Sequence, residues 1–129
     1  MQFIIKQMFT NLYTEIGPER LRLLVNRFYS EVFSNDILTP LFSKSERTVI
    51  ETKQFQFLSQ FLGGPSLYSD QYGHPKMRMR HMPHKITEDA KNEWLICIER
   101  AIDSLEMEDA LKVKLYQVFP KIAAHMVNS

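Results

Sequence analysis

Three polar side chains fall on or beside apolar stripes. Tyr29 borders the run Leu21, Leu24, Val25, Phe28 and Val32. Gln54 lies among Ile50, Phe57, Leu58 and Phe61. Trp94 sits among Ala90, Cys97, Ile98, Ala101, Ile102 and Leu105. All three donate hydrogen bonds, and an indole can do nothing else. A buried donor without an acceptor costs free energy. Taken singly, each has an ordinary reading: Tyr29 fills core with its hydroxyl at the rim, Gln54 reaches water, and Trp94 supplies bulk. Three donors on three helices favour a donor-rich pocket in an apolar shell, suited to a ligand with partial negative charge on oxygen.

The other reactive group is His81, at the end of Met77-Arg78-Met79-Arg80-His81 and ahead of Pro83. A histidine in a polar loop is usually solvated, but a neutral imidazole whose second nitrogen is held ligates iron well. His81 and His84 have a three-residue spacing seen in some zinc sites, yet no CxxC or HExxH supplies further ligands. No GxGxxG, Walker loop or GxSxG occurs. Cys97 lies on an apolar helix face and reads as an inert thiol. Lys76, Arg78 and Arg80 read as a solvated face or as partners for ligand carboxylates.

The elements that position these groups are helical throughout. A short helix opens at Thr10 and closes at Gly17. Pro18 starts a second, which runs to about Phe33. Asn35, Asp36 and Pro40 break it, and Phe42 follows in the connector. Ser43-Lys44-Ser45-Glu46 has the form of a capping box, predicting a third helix from about Lys44 to Leu62. Residues 66 to 85 lose the pattern and read as a loop dense in functional side chains. Thr87 caps a fourth main helix, with Glu88 and Asp89 in its first turn. The last runs from about Glu108 to Val127, with Leu111, Leu115, Val118, Phe119, Ile122 and Met126 inward and a kink at Pro120.

The chain has 129 residues, one domain's worth, so a single domain over 1–129 is expected. Its 44% hydrophobic and 24% charged residues exclude a disordered chain. A net charge of +1 argues against nucleic acid as a partner. No apolar run approaches the roughly 18 residues of a membrane span, and no signal peptide is evident. The lone cysteine excludes an internal disulfide and fits a cytoplasmic protein.

Specific motifs then point to a family. They are Arg27-Phe28-Tyr29, Gln54-Phe55-Gln56-Phe57-Leu58, Gln60-Phe61-Leu62-Gly63-Gly64-Pro65, Gly73-His74-Pro75, the Met77–His81 block, Pro83, Ile86-Thr87, Trp94 and Ala124-His125-Met126-Val127-Asn128. From about Leu12 onward the chain resembles the group II truncated haemoglobins of bacteria. The resemblance implies an all-α truncated globin, a two-over-two helical sandwich around haem b. It makes His81 the proximal iron ligand. Tyr29, Gln54 and Trp94 become distal hydrogen-bond donors, and Ile50 takes the place of the usual distal gate residue. Phe42, Phe57 and Trp94 line the haem, while Lys53 and Arg80 pair with its propionates. Two departures stand out: Ile50 cannot donate a hydrogen bond, and His84 replaces the usual aromatic.

The function so implied is reversible binding of dioxygen, nominally oxygen transport, with CO and NO as other diatomic ligands. Each distal bond is worth about 1–2 kcal/mol, or roughly tenfold in release rate. Slow release suits a carrier poorly. The alternative is a haem oxidoreductase acting on peroxide, nitric oxide or reactive sulfur species, fed by an unidentified reductase. A haem-free interaction module is a third class, against which the presence of His81 counts. A monomer or a homodimer is expected.

Overall fold

The computed structural model describes residues 12–42, 45–73 and 86–124. Seven α-helices and one 3-10 turn occupy these residues, and no strand occurs among them. The helices are α1 (Leu12–Ile16), α2 (Pro18–Val32), α3 (Arg47–Phe61), α4 (Leu67–Tyr72), α5 (Glu88–Asp103), α6 (Asp109–Tyr116) and α7 (Phe119–Ala124). The 3-10 turn, Thr39–Phe42, lies between α2 and α3. Two compact units are formed. Among the described residues the first draws on α1, α2 up to Asn26, α3 and α4, and the second on α2 from Arg27, the 3-10 turn, α5, α6 and α7.

The sequence dictates α2 closely. Gly17 takes φ of +83°, a left-handed conformation that a side chain would disfavour, and so ends α1. Pro18 follows at the first helical position, where its missing N–H leaves no bond unmade. Leu21, Leu24, Val25, Phe28, Tyr29 and Val32 are all buried, as their spacing requires.

In the first unit α3 departs from expectation at its start. It begins at Arg47, and Glu46 caps it without a side-chain hydrogen bond, so no capping box closes there. Ser43 and Lys44 lie outside the described residues. Its buried set is Phe55, Phe57, Leu58 and Ser59, whereas Ile50, Gln54 and Phe61 are only half-buried. The helix buries a wide arc rather than one stripe. Phe55 is covered by the Arg22 guanidinium, 4.0 Å from its ring centre. The loop reading of residues 66–85 also needs correction, because residues 67–72 form α4. Two glutamines of α3 hold it: Gln60 Nε2 donates to Ser69 Oγ (2.7 Å), Ser69 N donates to Gln60 Oε1 (2.8 Å), and Gln56 Nε2 donates to Gln71 Oε1 (3.0 Å).

In the second unit Thr87 Oγ1 accepts from Ala90 N at 3.1 Å, the expected cap of α5. Ala90, Trp94, Cys97, Ile98, Ala101 and Ile102 form its buried face. The expected last helix is two helices. Pro120 has no N–H to give the Tyr116 carbonyl, and its ring crowds that position, so the chain turns at 117–118. Leu115, Val118, Phe119 and Ile122 are buried as expected, but Leu111 is half-buried. Met126 lies outside the described residues.

Candidate functional site

The second unit brings Tyr29, Phe42 and Trp94 into one aromatic group, with Phe28 as the link. Tyr29 is 3% exposed and Trp94 8%. The Phe28 ring meets Tyr29 edge-on at 4.9 Å and Trp94 edge-on at 5.3 Å. Phe42 meets Tyr29 edge-on at 5.9 Å, and Phe119 backs Trp94 at 5.9 Å. Edge-on packing sets ring hydrogens against a π face and fixes ring orientation. Both polar rings are thus oriented by apolar neighbours. Among the described residues the Trp94 indole N–H makes no hydrogen bond.

Hydrogen bonds hold this aromatic group at two places, one between α2 and the end of α5 and one between the α2–α3 connector and α5. Near Phe28, Arg27 Nη1 donates to the Ser104 carbonyl and, at 3.0 Å, to Ser104 Oγ. Ser104 is the C-terminal cap of α5, where orphan carbonyls favour a cation. Farther along, Asn35 Nδ2 donates to Glu93 Oε1 at 2.9 Å. Sequence reading did not single out Phe28, Arg27 or Asn35 for the site. Phe28 read as plain core, Arg27 as part of a motif and Asn35 as a helix breaker. Their roles depend on which helices pack together, which no local pattern encodes.

In the first unit Ile50, Lys53, Gln54 and Phe57 all lie on α3. Ile50, Gln54, Phe57 and Phe61 share a helix face by their spacing. The Phe57 ring stacks on Phe61 at 5.6 Å and meets Tyr68 edge-on at 5.6 Å. Lys53 Nζ lies 4.8 Å from the centre of the Tyr72 ring. Among the described residues the Gln54 amide makes no hydrogen bond. His81 and Arg80 lie outside the described residues, as does His84.

These features fit a haem group. Among the described residues the Trp94 donor of the second unit and the Gln54 donor of the first make no hydrogen bond, and within the first unit Ile50 and Phe61 offer half-buried apolar surface beside Phe57. The described residues contain no cluster of His, Cys, Asp or Glu that would hold a metal ion directly. No described helix is long and apolar enough to cross a membrane.

Comparison with known proteins gives a consistent result. The family model described as bacterial-like globin matches residues 11–128. The group 2 truncated hemoglobin YjbI of Bacillus subtilis (strain 168) is 42% identical over 122 residues, 95% of this chain and 92% of that protein. The group 2 truncated hemoglobin 3-1 of Lotus japonicus is 32% identical, covering 92% of this chain and 72% of its own length. Among solved structures, the truncated oxygen-avid haemoglobin from Bacillus subtilis superposes with a TM-score of 0.85 at 42% identity, over 91% of this chain and 98% of that one. The group II truncated hemoglobin of Bacillus anthracis gives 0.86 at 37% identity, over 92% and 91%.

Proposed function

The chain belongs to the bacterial-like globin family, as an all-α truncated globin whose cofactor is haem b, and from that premise we propose that it binds dioxygen tightly and reversibly. One observation carries the proposal: two buried donor side chains, Tyr29 and Trp94, flank one phenylalanine, and the indole N–H makes no hydrogen bond among the described residues.

Haem supplies the ferrous iron that takes a diatomic ligand. In this reading His81 would hold the iron. Phe42, Phe57 and Trp94 would line the cofactor and exclude water. Lys53 and Arg80 meet its propionates, with Arg suited to a bidentate pair. Tyr29, Gln54 and Trp94 direct donors at a ligand whose oxygen bears partial negative charge. Ile50 adds bulk without a hydrogen bond. The domain is single, a reading supported by a family match that spans nearly the whole chain.

A second reading has support of its own. Strong distal donors slow release, and the Bacillus subtilis relative is described as oxygen-avid. A carrier must unload, so avidity favours a haem oxidoreductase acting on peroxide, nitric oxide or reactive sulfur species, with donors that stabilise developing negative charge.

The test is an absorption spectrum of the purified chain, oxidised, reduced and under CO, with haem added where needed. A Soret band that shifts on reduction and again with CO supports the reading. Absence of saturable haem binding defeats it. Dioxygen release set against peroxide or nitric oxide turnover then separates carrier from enzyme.

A further inference from the structure

The connector between α2 and α3 is organised by one residue. Asn35 Oδ1 accepts from the backbone N–H groups of Ile37 (2.9 Å) and Leu38 (3.1 Å). The Asn35 carbonyl accepts from Thr39 Oγ1 (2.7 Å) and Thr39 N (2.9 Å). These bonds fold the chain into the turn that carries Phe42 against Tyr29. The remaining group, Nδ2, is committed to Glu93 of α5. Glu93 immediately precedes Trp94, and this is the one hydrogen bond of its side chain among the described residues. A carboxylate acceptor makes the bond charge-assisted, and it is part-buried, where such bonds are stronger than in water.

We infer that Asn35 and Glu93 are a positioning pair, whose hydrogen bond ties the Phe42 connector to α5 and so fixes the Trp94 donor relative to Tyr29. Arg27 and Ser104 clamp α2 to the far end of α5. With that end fixed, the Asn35–Glu93 bond sets the separation at the other. Both act as positioning residues, through Trp94 and Phe42. The inference deepens the dioxygen-binding reading and rests on it.

Glu93→Ala removes the tie and leaves every bond of the Asn35 turn in place. Glu93→Gln keeps a carbonyl oxygen for Nδ2 and removes only the charge. Asn35→Asp keeps Oδ1 for the turn, removes the donor and sets a like charge beside Glu93. Trp94 is the chain's single tryptophan, so its emission reports the tie without haem. In the haem-free protein, Glu93→Ala and Asn35→Asp should shift that emission to the red and raise its quenching by acrylamide. Glu93→Gln should restore both. In the haem-loaded protein the two tie-breaking variants should release dioxygen faster, by about threefold to tenfold, as expected for a weakened hydrogen bond.

Unchanged emission in folded Glu93→Ala and Asn35→Asp overturns the pair. So does unchanged dioxygen release in both while Tyr29→Phe speeds it. Unchanged release in Tyr29→Phe and Trp94→Phe defeats instead the distal reading on which the pair rests. If Glu93→Ala fails to fold, Asn35→Asp against Glu93→Gln decides by the same two measurements.

Discussion

Tyr29 and Trp94 were legible as inward donors because a helix stripe has a strict period and a polar residue on it is conspicuous. Their partnership through Phe28 was not legible, since it depends on α2 meeting α5. If these donors hold dioxygen, Tyr29→Phe and Trp94→Phe should each speed its release by roughly tenfold, about 1–2 kcal/mol per lost bond. Stopped-flow displacement by CO measures this directly. Cys97 was legible too, as a packed thiol. Burial pushes it up from an ordinary 9.0 to about 11, the carboxylates of Glu31 and Glu93 add to the shift, and Arg100 opposes it. The native thiol therefore keeps its proton at pH 8 and should react with a disulfide reagent far more slowly than in denaturant. The sign for stability follows. The folded state holds this proton more tightly than the unfolded state, so the contribution is full below pH 9.0 and is lost as pH rises toward about 11. A urea midpoint that stays flat or rises over that window would contradict it.

Long helices with caps and single stripes, α2 and α5, follow from sequence nearly residue for residue. Local chemistry decides them: Gly17 and Pro18 before α2, Thr87 before α5. The short elements do not. α4 has six residues, too few for periodicity to emerge, and it is held by Gln56 and Gln60 reaching from α3. The start of α3 is not set by local spacing: Ser43 and Glu46 stand as in a capping box, while the helix begins one residue after Glu46. Hydrophobic spacing continues across Pro120 and predicts only a kink, yet a missing N–H and a crowded ring end α6 outright. Thr87 gives the clean test of local control. Its hydroxyl satisfies one orphan N–H of α5, so Thr87→Ala should cost about 1 kcal/mol. The urea midpoint should fall with the slope unchanged, since the exposed surface stays the same. A cost near zero would mean that α5 is fixed by the burial of Trp94, Ile98 and Ile102 alone.

The all-α class was legible across the whole chain because no stretch alternates with period two, and the family was legible because its motifs are spread from Tyr29 to Trp94. The candidate residues fall in both compact units: Tyr29, Phe42 and Trp94 in one, and Ile50, Lys53, Gln54 and Phe57 in the other. Periodicity marks Tyr29, Gln54 and Trp94 one by one, whereas the roles of Ile50, Lys53, Phe42 and Phe57 toward a cofactor follow only from the family resemblance. A bound haem leaves a thermodynamic signature in the molecule as a whole. Whatever binds the folded chain and not the unfolded one stabilises it by mass action, about 2.7 kcal/mol at a hundredfold excess over Kd. For a chain of this length that should raise the melting temperature by roughly 10 °C. His81→Ala should lose most of that rise while leaving the haem-free melting temperature nearly unchanged, because a ligand's side chain contributes little to an apoprotein core. Differential scanning calorimetry of both proteins, with and without haem, reads all four values. An undiminished rise in His81→Ala would move the iron ligand elsewhere, and His84, three residues on, would then be the next candidate to replace.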